Sequence, residues 1–248
     1  MKKTTIEFSV FTKSLAASWL YINRFSFVVP SSVLIFLFFT LLLNASRGFD
    51  MADGSLGLIA ASQPENIFGD VTQFGYYTRW LYILSGRDIA VFRILGILVL
   101  SSAGVFFAAA LDRYWSVLSE SVSNIRIQWE TITLILIGIL AYYHTWNLDP
   151  YYNWVNLFSV LLVATGLLRV ASSGLRHQVQ SNWSKFYFII NALLVGVGGG
   201  LSFLAKPTTA LILALITIYW IAVHLKSYQR WFFWVISFSF RPNSSFLS

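Results

Sequence analysis

Residues 25–53 read FSFVVPSSVLIFLFFTLLLNASRGFDMAD, and this stretch decides the fold class. The segment from Phe25 to Ala45 has no charged residue. It is long enough for a membrane-spanning helix, since about 20 mostly apolar residues cross roughly 30 Å of hydrocarbon. Arg47, Asp50 and Asp53 follow directly. The order predicts a span that opens into a charged loop.

The composition of the whole chain agrees with a membrane protein. Of its 248 residues, 57% are hydrophobic and 11% are charged, whereas soluble domains have roughly 25% charged residues. A water-soluble fold is therefore excluded. The absence of cysteine excludes disulfides, thiolate metal sites and cysteine nucleophiles. The net charge of +7 indicates membrane orientation and anionic lipid, not nucleic acid.

Further apolar stretches predict an all-α, polytopic bundle of six spans and a partial seventh. The six spans are Phe25 to Ala45, Ile89 to Leu111, Ile132 to Trp146, Trp154 to Val170, Phe186 to Ala205 and Thr208 to His224. The seventh run, Trp231 to Phe240, is too short to cross. The predicted organisation is an amphipathic segment on the inner surface (1–24), a transmembrane domain (25–240) with one long loop (46–88), and a tail (241–248).

Lysines and arginines in the short loops predict the orientation. Most of them flank the inner ends of the spans, whereas six of the ten acidic residues fall on the opposite side. We therefore expect a cytoplasmic amino terminus in a plasma (inner) membrane protein. The loop 46–88 then lies outside, and its segment 68–84 is expected to lie along the interface with Phe74, Tyr77, Leu81 and Leu84 towards the lipid.

Asp50 and Asp53 are the candidate catalytic residues in this loop. On a helical turn their three-residue spacing places both carboxylates on one face. One could accept a proton from an attacking hydroxyl, or both could hold a divalent cation against a phosphate. Solvation, or capping of a helix start, explains the same acids without a function.

Three segments on the predicted outer side resemble a known family. They are Arg47-Gly-Phe-Asp50-Met-Ala-Asp53-Gly-Ser, Asp149-Pro-Tyr-Tyr-Asn-Trp-Val-Asn156 and Leu204-Ala-Lys-Pro-Thr-Thr209. Together with the layout of the first span and loop, they resemble the GT-C superfamily of integral-membrane glycosyltransferases, in the branch similar to dolichyl-phosphate-mannose protein mannosyltransferases. Members usually have more spans, so the resemblance implies an amino-terminal portion or a truncated member.

The resemblance implies transfer of a sugar from a polyprenyl-phosphate donor to an acceptor at the extracytoplasmic face. Asp50 is then the first candidate for the base or metal-linked carboxylate, and Asp53 is the second. A divalent cation is the one cofactor that this chemistry admits. The alternative is a non-catalytic membrane protein, either a carrier of lipid-linked sugars or an assembly partner.

Four more residues are candidates for substrate binding. Lys206 precedes Pro207, and proline suits the first position of a helix. The ammonium of Lys206 and the amides at the helix start both present positive charge, so they could bind the donor phosphate. The alternative is that Lys206 only extends its ammonium to the membrane surface. Arg93 lies inside the second span, where a phosphate or carboxylate partner is expected, although headgroups or Asp88 would also serve.

Tyr152 and Asn153 complete this set, with Asn156 beside them. Their phenol and amide groups could hydrogen-bond sugar hydroxyls. Hydrogen bonding between helices explains the two asparagines equally well. In the fifth span, the spacing of Gly196 and Gly200 predicts a close contact between helices.

Overall fold

The fold is a helical bundle with a helical loop at one end. The computed structural model describes residues 27–47, 53–66, 73–118, 129–145, 148–175 and 182–224. Within these ranges every regular element is helical. The elements are α1 (Phe27–Asn44), α2 (Asp53–Ser62), α3 (Phe74–Leu84), α4 (Ile89–Leu118), α5 (Trp129–Thr145), α6 (Tyr152–Leu175), α7 (Asn182–Ala205) and α8 (Pro207–His224), with a 3₁₀ turn at Pro64–Asn66.

Four helices are long and apolar enough to cross a membrane. These spans are Phe27–Asn44, Ile89–Leu118, Tyr152–Ser173 and Phe186–Ala205. The apolar stretches Trp129–Tyr143 and Pro207–Val223 are shorter. The prediction of a membrane protein with spanning helices is thus supported. The predicted segments 1–24, Trp231 to Phe240 and 241–248 lie outside the described residues.

Large apolar side chains cover much of the outside of the bundle. On α8, Leu211, Leu215 and Tyr219 are each at least 60% exposed. Phe36 and Leu43 of α1 are similarly exposed. Apolar surface of this extent marks an environment other than water, and a helix that is apolar on all sides is typical of a membrane span.

Helix α6 lies at the centre of the bundle. It packs against α7, α4 and α8. Against α7 the backbones come close, because a methyl group added at Gly198 would lie 2.9 Å from the carbonyl oxygen of Ser159. Gly166 of α6 approaches the backbone of Asn191 in the same way. At Gly200, where a close contact was predicted, no atom of the described residues lies within 4 Å of a methyl group built there.

Trp154 ties three helices together near one end of the bundle. Its indole Nε1–H is shared between the carbonyl oxygen of Gly96 on α4, at 3.1 Å, and the hydroxyl of Tyr143 on α5, at 2.8 Å. Its ring stacks on Phe158 at 5.5 Å. All these groups are shielded from water, so the bonds fix the relative placement of α4, α5 and α6.

Candidate functional site at the loop end of the bundle

A buried ion pair lies where the large loop meets the bundle, which we call the loop end. Nε of Arg93 donates to Oδ1 of Asp149 at 2.7 Å, and Nη2 donates to Oδ2 at 3.2 Å. Arg93 is 2% exposed and Asp149 is fully buried. A charge in such surroundings is tolerated only when it is paired and hydrogen-bonded. The two hydrogen bonds from the guanidinium to the carboxylate both pair the charges and satisfy the donors and acceptors.

The same guanidinium holds the end of α1. Nη1 of Arg93 donates to the carbonyl oxygens of Ala45, at 3.0 Å, and Arg47, at 3.1 Å. The last carbonyls of a helix have no partner within it and carry partial negative charge, so a cation there is favourable. Arg93 therefore joins α1, α4 and the segment before α6.

Small residues let the Asp149-Pro150-Tyr151 segment sit tightly against its neighbours. A methyl group at Gly96 of α4 would lie 2.5 Å from Cγ of Pro150. One at Gly57 of α2 would lie 3.2 Å from Cβ of Tyr151 and 3.9 Å from Cβ of Asp149. The second turn of α2 thus lies close to the Cβ atoms of Tyr151 and Asp149.

The loop forms its own small cluster of helices on this end. Gly75 of α3 packs against the backbone of Ala60 in α2 so closely that a methyl group would collide with the Ala60 carbonyl. An exposed ion pair of 2.8 Å between Arg79 and Glu65 joins α3 to the 3₁₀ turn. Burial raises the pKa of the Tyr77 phenol on the same helix.

The turn from α3 into α4 has a defined geometry. Gly86 N donates to Ile83 O and Arg87 N donates to Tyr82 O, which is the Schellman pattern at a helix end. Both Gly86 and Arg87 have φ of 66°. Asp88 then caps α4 by accepting from the Val91 amide at 2.9 Å. Asp88 is therefore a helix cap. Arg93 has the expected carboxylate partner, but this partner is Asp149 and not the alternative Asp88.

The prediction of which face of α3 meets lipid was also wrong in part. Phe74 and Leu81, expected to face the membrane, are buried in protein. The exposed apolar side chains of α3 are Tyr76, Trp80, Ile83 and Leu84. Of the predicted residues only Leu84 is clearly exposed, because the helix has two apolar faces and the protein covers one of them.

The two predicted carboxylates differ in what the structure describes. Asp50 lies outside the described residues. Asp53 is the first residue of α2, in a position where an acid is favourable towards the helix dipole, and its side chain lies outside the described set. Their catalytic role stays a prediction.

The other candidates gather at the loop end. Lys206 is exposed and precedes Pro207, which begins α8 as predicted. The ring of Tyr152 contacts that of Phe74 at 6.1 Å, while Gln73 N donates to Leu204 O at 3.1 Å. The start of α3 therefore lies against both Tyr152 and the turn that carries Lys206.

The asparagines have partners inside the protein. Asn153 Nδ2 donates to the Tyr151 hydroxyl at 3.1 Å. Asn156 accepts from Ser202 of α7 at 3.1 Å, and its Nδ2 lies 3.5 Å from Oγ1 of Thr209 on α8. The side chain of Asn156 therefore makes hydrogen bonds between helices, which was the alternative to sugar binding.

Sequence analysis missed Asp149 as the partner of Arg93. A signal was present, since an ionisable residue inside a span usually pairs with another. Asp149 is an acid at the same end of a neighbouring span. Among the described residues, no three His, Asp or Glu side chains form a group that could hold a metal ion.

Comparison of the chain with models of protein families, with curated proteins and with solved structures finds no match.

Proposed function

We propose that this chain is a membrane glycosyltransferase that transfers a sugar from a polyprenyl-phosphate donor to an acceptor at the extracytoplasmic face. One observation carries the proposal. The acidic segment after α1 starts at carbonyls bound by Arg93 and leads into α2, which lies close to Cβ of Asp149. A carboxylate that acts as a base must be held in place before the reaction, and the described residues on either side of 48–52 each contact the bundle.

The topology that we propose has six spans, with α5 and α8 crossing in addition to the four longer helices. Their 17 and 18 residues correspond to about 26 and 27 Å at 1.5 Å per residue. This length is close to the hydrocarbon thickness of roughly 30 Å, and small mismatches are accommodated by local thinning of the bilayer. The amino terminus is then cytoplasmic and the loop end faces outward in the plasma (inner) membrane.

The proposed chemistry assigns roles to the two carboxylates and to Lys206. Asp50 accepts the proton of the acceptor hydroxyl while the oxygen of that hydroxyl forms a bond to the anomeric carbon of the sugar. The bond from that carbon to the phosphate oxygen breaks, and polyprenyl phosphate leaves. Asp53 supports the base or, with Asp50, holds a divalent cation. The ammonium of Lys206 stabilises the negative charge on the leaving phosphate.

The remaining surfaces suit a lipid-linked substrate. Tyr152 lies beside the start of α3, and Asn153, which donates to the Tyr151 hydroxyl, follows it in the chain. Phenol and amide groups of this kind can bind sugar hydroxyls. The exposed face of α3 carries Tyr76 and Trp80, the residue types that favour the membrane interface. Membrane lipid at this face would bring the donor headgroup to the level of the loop.

Purified protein in liposomes, supplied with a panel of polyprenyl-phosphate hexoses and pentoses and with a panel of hydroxyl-bearing acceptors, tests the proposal. We expect wild-type protein to release polyprenyl phosphate from at least one donor, and Asp50→Asn to abolish release while inserting normally. Glu65→Gln is the matched control, because it neutralises an exposed acid of the same loop. Transfer by Asp50→Asn would remove Asp50 from the mechanism.

A second variant tests the phosphate-binding role of Lys206. A hydrogen bond to a charged group contributes about 1.5–3 kcal/mol, so Lys206→Gln should weaken donor use by roughly 10- to 100-fold. Arg87→Asn is its control, since it removes another exposed cation of the same end and suits the positive φ there. Donor binding by wild-type protein without any turnover would favour a carrier or assembly partner.

A further inference from the structure

Two arginines lie at the same level near the end of the bundle opposite the loop end, which we call the far end. Arg113 is on α4 and Arg169 is on α6. These two helices pack against each other, both begin at the loop end, and the hydrogen bond from Trp154 to Gly96 fixes their register. From that bond, Arg113 lies about 26 Å along α4 and Arg169 about 23 Å along α6, at 1.5 Å per residue.

Helix α7 brings a tyrosine to the same level. Where α6 and α7 cross, a methyl group at Gly166 would lie 2.7 Å from the carbonyl oxygen of Asn191. Arg169 follows Gly166 by about one turn. Tyr187 precedes Asn191 by about one turn, and because the helices are antiparallel, both residues lie on the far-end side of the crossing. In agreement with this register, Arg169 interacts electrostatically with both Arg113 and Tyr187.

The two arginines form no ion pair with an acid in the part of the chain that the structure describes, in contrast to Arg79 and Arg93. Even with Asp112 beside Arg113 in the chain, the two guanidiniums leave an excess of positive charge. Arg169 is half-buried on a membrane-spanning helix. A cation in such a place is costly, and a second cation nearby adds repulsion. An anion between the two would offset both costs.

Aromatic side chains mark this level as a membrane boundary. Trp115 on α4 is 67% exposed and Tyr187 on α7 is 58% exposed. Tyr114 contacts Trp220 of α8, with the ring centroids 5.6 Å apart. Tryptophan and tyrosine favour the interface between hydrocarbon and headgroups. The distance of about 23–26 Å from the loop-end crossing is likewise close to the hydrocarbon thickness of roughly 30 Å. Phospholipid phosphates therefore lie near the level of the two guanidiniums.

We propose that Arg113 and Arg169 form a binding site for the phosphate of an anionic phospholipid in the leaflet opposite the loop end. The planar fork of arginine binds phosphate oxygens at two points, and basic sites between membrane helices bind headgroups of this kind. The lipid holds α4 against α6 and offsets the repulsion between them. The site lies at the other end of the bundle from the proposed sugar transfer and does not depend on it.

Native mass spectrometry of the purified protein tests binding directly. The protein is offered equal amounts of phosphatidylglycerol and phosphatidylcholine with the same acyl chains. We expect wild-type protein to retain phosphatidylglycerol preferentially, and Arg113→Gln with Arg169→Gln to weaken its binding by roughly 10- to 100-fold. Arg79→Gln with Arg87→Asn is the matched control, because it removes two arginines of the loop end, and it should keep the preference. An unchanged preference in the far-end double variant would overturn the site.

Thermal unfolding in nanodiscs separates a lipid site from a structural role. In phosphatidylcholine, Arg169→Gln removes a half-buried cation and its repulsion with Arg113, so the unfolding midpoint should stay the same or rise. In phosphatidylglycerol, the wild-type protein should gain stability that the variant does not gain. An equal loss of stability in both lipids would show that Arg169 is structural and would refute the proposal. Arg113→Gln, at an exposed position, gives the same comparison if Arg169→Gln does not fold.

Inorganic phosphate distinguishes a lipid headgroup from a soluble anion. Added to the protein in phosphatidylcholine nanodiscs, it should leave the midpoint unchanged, because the acyl chains concentrate only the lipid at this level. Stabilisation by inorganic phosphate as large as that by phosphatidylglycerol would contradict the assignment to lipid.

Discussion

Arg93 and Asp149 stand 56 residues apart in the chain, yet Nε of one lies 2.7 Å from Oδ1 of the other in a site closed to water. The contact joins the second turn of α4 to the segment before α6. Through Nη1 it also joins α1. This pair is the point at which the large loop, the first helix and the centre of the bundle meet.

Removing one member of the pair should destabilise the protein strongly. Asp149→Ala leaves the buried guanidinium without its counter-charge, which typically costs about 3–5 kcal/mol. The unfolding free energy in detergent, measured by denaturant titration, should fall by that amount. Glu65→Gln breaks the exposed pair with Arg79 and should cost no more than about 1 kcal/mol. Equal losses in the two variants would contradict the burial argument.

The packing of α3 on α2 depends on the absence of a side chain at Gly75. Gly75→Ala introduces a methyl group that collides with the Ala60 carbonyl, and overpacking of this kind typically costs about 1–3 kcal/mol. Thermal unfolding in detergent should show the loss. Gly199→Ala meets nothing within 4 Å inside α7 and should stabilise by roughly 0.5–1 kcal/mol. A destabilised Gly199→Ala would show that this helix face is covered.

The shared hydrogen bond of Trp154 should be measurable in the same way. Trp154→Phe keeps an aromatic ring for Phe158 to stack on but leaves the Gly96 carbonyl and the Tyr143 hydroxyl without this donor. We expect a loss of about 1–3 kcal/mol. Tyr143→Phe leaves the bond to Gly96 intact and should cost less. The reverse order would show that the Gly96 bond contributes little.

The proposed orientation is testable with single cysteines. Lys206→Cys lies at the loop end and Trp115→Cys lies near the other end of α4, and both positions are exposed. In intact cells a membrane-impermeant maleimide should label position 206, and position 115 only after permeabilisation. Labelling of position 115 alone in intact cells would show that the protein has the opposite orientation in the membrane.

Several features of the fold could be predicted from sequence because they follow local rules. Uninterrupted apolar length predicted the four long spans, and the pattern of Lys206 and Pro207 predicted the start of α8. A backbone in hydrocarbon must satisfy its own hydrogen bonds, so such stretches can only be helical. The face of α3 was predicted less well. Phe74 and Leu81 repeat at helical spacing, but the repeat does not say whether lipid or protein covers them.

Hydropathy and charge act on each segment separately, so the order of residues is enough to predict an all-helical membrane protein with one long acidic loop. The pairing of Arg93 with Asp149, and not with Asp88, which is nearer in the chain, depends on how the helices pack. The tertiary structure also decided which glycines bring helices together. The ion pair and the glycine contacts have the same physical cause. Lipid and the protein interior are equally apolar, so hydropathy does not determine which helices pack together. Packing partners depend instead on the shape of the helix surfaces and on charge pairing between distant segments.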